Sequence, residues 1–200
     1  MKLLADLHER RVHARRVRVL TREIARMLPE HGTVLDVGCG DGLLTSLLAE
    51  ARPELRFFGL DVLMRSGARL PACRFDGRHL PLADASVDAV LFVDVLHHAA
   101  SIGDLLAEAR RVTRGSVVIK DHLLDPPLAG PRLRFMDYVG NARHGVALPY
   151  HYLRKVQWMA AFAAAGLTVA QFTSDFALYP RPAAWLFGGG LHFLAQLRLR

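Results

Sequence analysis

Residues Thr33 to Leu43 read TVLDVGCGDGL, an apolar run that breaks into three glycines set two residues apart. Val34 to Val37 has the aliphatic, β-branched content of a buried strand, and the glycines that follow offer backbone with no Cβ for something to lie against. Two familiar glycine loops fail to match. A dinucleotide fingerprint, G-x-G-x-x-G, would place a glycine at position 43, where Leu43 stands; a phosphate loop would follow its last glycine with Lys and Ser or Thr, and Gly42 is followed by Leu43 and Leu44. What remains is D-x-G-x-G-x-G, from Asp36 through Gly38, Gly40 and Gly42. An acid two residues before the first glycine repels a pyrophosphate and favours a cation.

Outward from this turn, short apolar runs alternate with helical stretches. Strands are expected at Val34 to Val37, Arg56 to Leu60, Ala72 to Phe75, Ala89 to Val93 and Val117 to Ile119, with helices at Leu43 to Ala51 and Ile102 to Val112. Strand alternating with helix implies parallel strands, right-handed crossovers and a sheet covered on both faces. Before the first strand, Val17, Leu20, Ile24, Met27 and Leu28 recur at helical spacing within Arg15 to Leu28, opposite Arg15, Arg18, Arg22 and Arg26. Beyond Tyr152 come an alanine-rich helix ending at Gly166, a strand from Leu167 to Phe172 and a last strand from about Leu191 to Leu199. The expectation is one domain in three parts: a helical cap over 1–31, a half over 32–125 that contains the glycine turn, and an insertion, last helix and final strands over 126–200.

In such sheets a ligand lies at the carboxyl ends of the strands, where the strand order reverses. A ligand carrying positive charge and a ribose suits the turn, and S-adenosylmethionine has both. Asp61 ends the second strand in FFGLDV, about 20 residues downstream, where a carboxylate can accept both ribose hydroxyls.

Taken together, VLDVGCGDG, GLDV and FDGRHLPLADASVDAVLFVDVLHH resemble the class I S-adenosylmethionine-dependent methyltransferases, near their small type 11 branch. The resemblance implies a doubly wound, Rossmann-like α/β sheet of seven strands, mostly parallel with an antiparallel C-terminal strand. It also implies roles. Gly38 and Gly40, with Cys39 between them in the turn, would lie against the methionine part, and Asp36 would set the charge near the amino group. Asp61 would hold the ribose and Val62 pack on the adenine. Asp76 and the backbone of Gly77 would recognise the adenine edge, and the backbone near Val93 would close the site. Asp88 would be structural, and Val87 stands where many members carry an aromatic residue.

The methyl group leaves a sulfonium by in-line displacement, so positioning supplies much of the catalysis and a base helps only for acidic acceptors. Candidates stand at strand ends. His97 and His98 follow the fourth strand, one expected toward the cleft and one into structure, with a loop-ordering role as the competing reading. The fifth strand ends in IKDH; there Asp121 beside His122 could orient an imidazole, and a surface ion pair of Lys120 with Asp121 is the simple alternative. In FMDYVGNARHGVALPYHY, Asp137, Asn141, His144, Tyr150 and His151 are candidates for contact with the acceptor.

Composition limits the partners. With only Cys39 and Cys73, in no C-x-x-C pair, no disulfide framework and no thiolate metal site is expected, and a metal is not indicated. The net charge of +7 suggests nucleic acid or an anionic membrane surface, but only Lys2, Lys120 and Lys155 among the 26 basic residues are lysines, as codon bias would also produce. The base-methylating motif [DNS]-P-P-[YFW] is missing after the fourth strand, which reads VDVLHH; Asp125 to Pro127 is a DPP after the fifth, followed by Leu128, and reads as a loop. No apolar run approaches the roughly 18 residues that span a bilayer, and the charged N-terminus is unlike a signal peptide, so a cytoplasmic protein is expected, with weak membrane association left open. The favoured acceptor is a small organic molecule, and AAWLFGGGLHFL leans toward an apolar or lipid-like one, although Phe193 and Leu197 also suit a core strand. An RNA-modifying enzyme and a non-catalytic cofactor-binding protein are the alternatives.

Overall fold

The computed structural model describes residues 2–65, 67–141, 150–174, 176–181 and 183–200. The strands are β1 (Gly32–Val37), β2 (Leu55–Asp61), β3 (Ala72–Arg74), β4 (Val87–Val93), β5 (Thr113–His122), β6 (Leu167–Thr173) and β7 (His192–Leu199). The helices are α1 (Lys2–Ala25), α2 (Leu43–Ala51), α3 (Ile102–Val112), α4 (Ala129–Asn141), α5 (Lys155–Ala164) and α6 (Ala183–Phe187), with a single helical turn at Leu96–His98. One sheet runs β3-β2-β1-β4-β5-β7-β6. The first five strands are parallel and β7 is antiparallel to both its neighbours, as the resemblance implied. From β1 the chain proceeds outward to β2 and β3, then returns to place β4 on the other side of β1. The strand order therefore reverses between β1 and β4, and the crevice for a ligand opens there.

Period-two alternation divides the core between the sheet's two faces. Leu35, Val37, Val90, Phe92, Val117 and Ile119 join Leu105, Leu106 and Ala109 of α3 and Trp158 and Phe162 of α5. The residues between them, Val34, Ala89, Leu91 and Val118, join Leu20 and Ile24 of α1 and Leu48 of α2. Phe193 and Leu197 are fully buried in the first cluster, so this part of the apolar C-terminal stretch is core strand. Asp88 is structural: it accepts from the Thr33 amide at 2.8 Å and holds Arg114 with both oxygens, at 2.8 and 2.9 Å.

Three elements depart from the sequence pattern. The first helix ends at Ala25, whereas Met27 and Leu28 continue its apolar spacing; both are buried, but from the turn below the helix. Residues 129–141 form α4, which is hard to see in a segment holding Pro131 and glycines at 130 and 140. Residues 183–187 form α6, within a stretch whose apolarity alone does not separate helix from strand. Among the described residues no helix is long and apolar enough to cross a membrane.

Candidate active site at the ends of β1, β4 and β5

The chain turns sharply after β1. The Gly38 amide donates to Leu60 O at 2.6 Å and the Gly42 amide to Cys39 O at 2.9 Å. Gly38 (φ 76°) and Gly42 (φ 74°) occupy the left-handed region, and a Cβ there would lie 2.4 Å from Val95 and 2.0 Å from Leu70. Those two glycines are demanded by the fold itself. Gly40 (φ 59°) is left-handed too but less crowded, because among the described residues a Cβ on it would meet nothing nearer than the Arg65 guanidinium at 3.8 Å.

Asp61 ties the turn down: one oxygen accepts from the Gly40 amide at 2.7 Å and the other from the Leu63 amide at 2.8 Å. Asp36 is buried and accepts from the Thr45 hydroxyl. Burial, with the Asp61 charge adding to it, pushes its carboxyl up to about 6. Burial and the same two carboxylates push the Cys39 thiol up to about 12, so it is no nucleophile. Asp36, Gly38 and Cys39, with Val93 and Asp94 of the neighbouring strand end, form the floor of a cavity of about 380 Å³, and α1 covers it through Arg16, Val17 and Leu20.

Val62, Leu63 and Met64 stand beyond the Asp61 end, and each is more than two-fifths exposed. Gly77 (φ 81°) approaches so closely that a Cβ there would sit 3.1 Å from Val62. The Asp76 carboxylate accepts from the Arg78 and His79 amides, both at 2.7 Å, and with the His79 ring these bonds pull it down to about 2. It remains exposed at the rim.

On the β5 side the structure corrects one reading. Lys120 and Asp121 form no surface ion pair, because both are buried and successive strand residues face opposite sides. Lys120 points toward α1, where its ammonium meets Asp94 and lies 3.1 Å from His192 Nδ1; Arg16 closes on Asp94 from α1. Burial would raise Asp94, but Lys120, His122 and Arg16 hold it well below the usual carboxylate range. Burial lowers Lys120 against the pull of Asp94.

Asp121 turns to the other face. It accepts from the Leu96 amide at 3.1 Å and the His122 amide at 2.8 Å, and lies 2.6 Å from His97 Nδ1. Burial opposes charge on His97, yet Asp121 and Asp137 outweigh it and raise the ring to about 10. Burial and the neighbouring His97 charge lower His98 to about 4. Burial and Lys120 lower His122, whose Nε2 is 3.7 Å from Asp94.

The structure thus gathers His97, His98, Asp121, His122 and Asp137, drawn from three separate stretches of chain. Of the other acceptor candidates, His151 braces the 97–99 turn, its amide donating to His97 O at 3.2 Å and its ring 3.1 Å from Ala99 O. The Tyr150 ring lies under the Arg134 guanidinium at 5.7 Å. His144 and the side chain of Asn141 lie outside the described residues. Sequence reasoning missed Arg16, Asp94, Tyr152 and His192. Asp94 alone had a signal, as the acid directly after β4 in FVDVLHH.

Comparison with known proteins bears on the family and the fold. A family model described as a methyltransferase domain matches residues 35–119. An uncharacterised methyltransferase of Mycobacterium bovis is 30% identical over 213 residues, which cover 90% of this chain and 82% of the relative. One from Mycobacterium avium is 29% identical, covering 93% and 86%. Among solved structures, an S-adenosylmethionine-dependent methyltransferase from Mesorhizobium loti matches with a TM-score of 0.70 at 19% identity, over 90% of this chain and 97% of that one. A chain from the complex of a Haloferax volcanii methyltransferase activator with a methyltransferase matches with a TM-score of 0.70 at 20% identity, over 94% and 93%. At such identities the structures speak for the fold, while the family model and the curated relatives carry the activity. The chain belongs to the class I S-adenosylmethionine-dependent methyltransferases.

Proposed function

We propose that the chain methylates a small organic acceptor with an apolar body, with its methyl donor held in the cavity under α1. The observation that carries this reading is the cover itself. Because α1 lies over the end of β1, an acceptor meets the donor in a narrowed space, which suits a small molecule better than a folded polymer. Apolar surface on α4 and α6 supports the rest: Phe135 of α4 stacks on Phe187 of α6 at 6.2 Å, and Leu128, Tyr138 and Trp185 are exposed on or beside the same helices.

The residues fit S-adenosylmethionine. Asp36 is a buried carboxylate suited to a cationic group, Gly40 offers backbone with no Cβ, and Arg65 beside it offers charge for a carboxylate. Asp61 keeps lone pairs for ribose hydroxyls, the exposed Val62 side chain offers an apolar surface for adenine beside the Gly77 backbone, with Asp76 at the rim, and the backbone at Val93 closes the floor. When bound, the donor supplies an electrophilic methyl group on a sulfonium. His122, which borders the cavity residue Asp94, is the proposed base, with Asp121 orienting it and His97 and His98 packed behind. Asp137, Tyr150 and His151 stand on the proposed acceptor side.

Calorimetry tests the donor site. S-adenosylmethionine or its demethylated product should bind with micromolar affinity and NAD should not; Asp61→Ala should weaken binding by about 1.5–3 kcal/mol, the scale of hydrogen bonds to a charged group. The pH dependence has a definite sign. With Asp36 raised to about 6, acidification below that value neutralises it, so affinity for the cationic donor should fall there, and Asp36→Asn should remove the dependence. Flat affinity from pH 5 to 8 in the parent would sink the role given to Asp36.

The arginine excess has a structural use that counts against RNA. Arg52 donates to Pro29 O at 2.6 Å; Arg111 to Leu80 O and Leu82 O at 3.0 and 2.8 Å; Arg132 to Leu186 O and Gly188 O, both at 2.9 Å. On α1, Arg22 and Arg26 share Glu23. RNA binding should therefore be weak and collapse between about 50 and 200 mM salt. Tight, sequence-selective binding at physiological salt would overturn the small-molecule reading.

A further inference from the structure

We propose that His97, His98 and Asp137 form a binding site for a divalent transition-metal ion of the zinc class. Their ligating atoms lie within 4.8 Å of one another. His97 Nε2 is 3.6 Å from Asp137 Oδ1. That is too long for a hydrogen bond and close to the separation of about 3.4 Å expected of two ligands on a tetrahedral ion with bonds of about 2.0–2.1 Å. Among the described residues His97 Nε2 and His98 Nδ1, like His122 Nδ1, are buried with no hydrogen-bond partner, and the His97 and His98 rings are 4.0 Å apart. Buried imidazole nitrogens without hydrogen bonds are costly, and an ion bound among the His97 and His98 nitrogens and the Asp137 oxygen would satisfy all three.

The outer contacts point the same way. A metal-binding histidine commonly donates its other N–H to a carboxylate, which fixes the tautomer and aims the free nitrogen at the ion. His97 does so through Nδ1 to Asp121 at 2.6 Å, and Asp121 is itself fixed by the Leu96 and His122 amides. Asp137 is anchored through its other oxygen by the Tyr152 hydroxyl, leaving Oδ1 toward His97. The overlapping group His97, Asp121 and His122 is not the site, because 2.6 Å between nitrogen and oxygen is a hydrogen bond with no room for an ion. Two imidazoles and one carboxylate suit zinc and its neighbours over magnesium or calcium, and three protein ligands leave a coordination position for water or an acceptor oxygen. The cysteine pattern could not have revealed this site, since it contains no thiolate.

The test uses the full chain stripped of metal with a chelator. Titration with Zn²⁺ against a chromophoric indicator should show one equivalent bound, and Co²⁺ should give the visible bands of a four-coordinate site. His98→Ala and Asp137→Asn should each weaken Zn²⁺ binding by at least about 100-fold, and Asp121→Asn by about 10- to 100-fold. The exposed His31→Ala should leave it unchanged. Failure of the parent to bind Zn²⁺, or stoichiometric binding that survives both ligand variants, would overturn the site and leave His97 as an imidazolium between two carboxylates. If a variant fails to fold, the parent's Co²⁺ spectrum still decides, since lack of four-coordinate bands refutes the geometry. Binding is read without methyl transfer, so failure here leaves the donor and acceptor readings standing.

Discussion

Asp94→Ala is expected to lower the unfolding free energy by about 3–5 kcal/mol, the cost of removing one partner from a buried ion pair. Lys120 is fully buried and its ammonium meets Asp94; Arg16 of α1 reaches the same carboxylate. Without Asp94, Lys120 is left fully buried beside the neutral His192 ring, while Arg16, 27% exposed in the cavity wall, loses its partner. Asp94 also holds φ at 57°, a left-handed conformation that costs a non-glycine residue energy and that Asp tolerates better than Ala. Urea unfolding of the parent, Asp94→Ala and Asp94→Leu/Lys120→Met would measure it. The double variant, having removed both buried charges, should recover most of the loss; a single-variant loss under about 1 kcal/mol would show that Lys120 is solvated from elsewhere. The acid dependence has a fixed sign. Asp94 lies well below its usual range in the folded chain, so its contribution is complete above the unfolded carboxyl value of about 3.9 and is lost as pH falls through the folded value.

His122→Ala should lower kcat by at least about 100-fold while leaving affinity for the donor within about threefold, the range expected when a general base is removed and binding is not. His122 is the histidine whose Nε2 faces the cavity residue Asp94, at 3.7 Å, and its Nδ1 lies 3.3 Å from Asp121. A residue that merely filled space would change stability and KM together; a base changes kcat. Once an acceptor is found in a labelled-methyl screen of metabolite extracts, kcat and KM can be measured for His122→Ala and His122→Asn. Turnover within tenfold of the parent in both would mean that the enzyme works by alignment of donor and acceptor alone.

The sequence by itself determined the parallel part of the sheet, the turn after β1, and helices α2 and α3, which begin and end where the pattern places them. Each of these is written locally. Apolar alternation selects the faces of a strand, and glycines at 38 and 42 are the residues that tolerate both the left-handed backbone and the contacts of Val95 and Leu70. The acids Asp36 and Asp61 were legible for the same reason: a strand end next to a glycine turn fixes where a side chain goes. Tertiary structure alone decided the polar interior. Lys120 and Asp121 are neighbours in the chain and look like a pair, but the pleat of β5 sends them to opposite faces, one to Asp94 and Arg16 and the other to His97. Their true partners lie 24 and 26 residues away on the segment that follows β4, and His192 stands opposite His122 across 70 residues because β7 inserts antiparallel beside β5. Asp137 reaches His97 only because α4 and Tyr152 return to the same strand ends. Charges placed this far apart in sequence carry no periodicity that could announce them; strand pairing brings them together, and burial then makes each depend on the other.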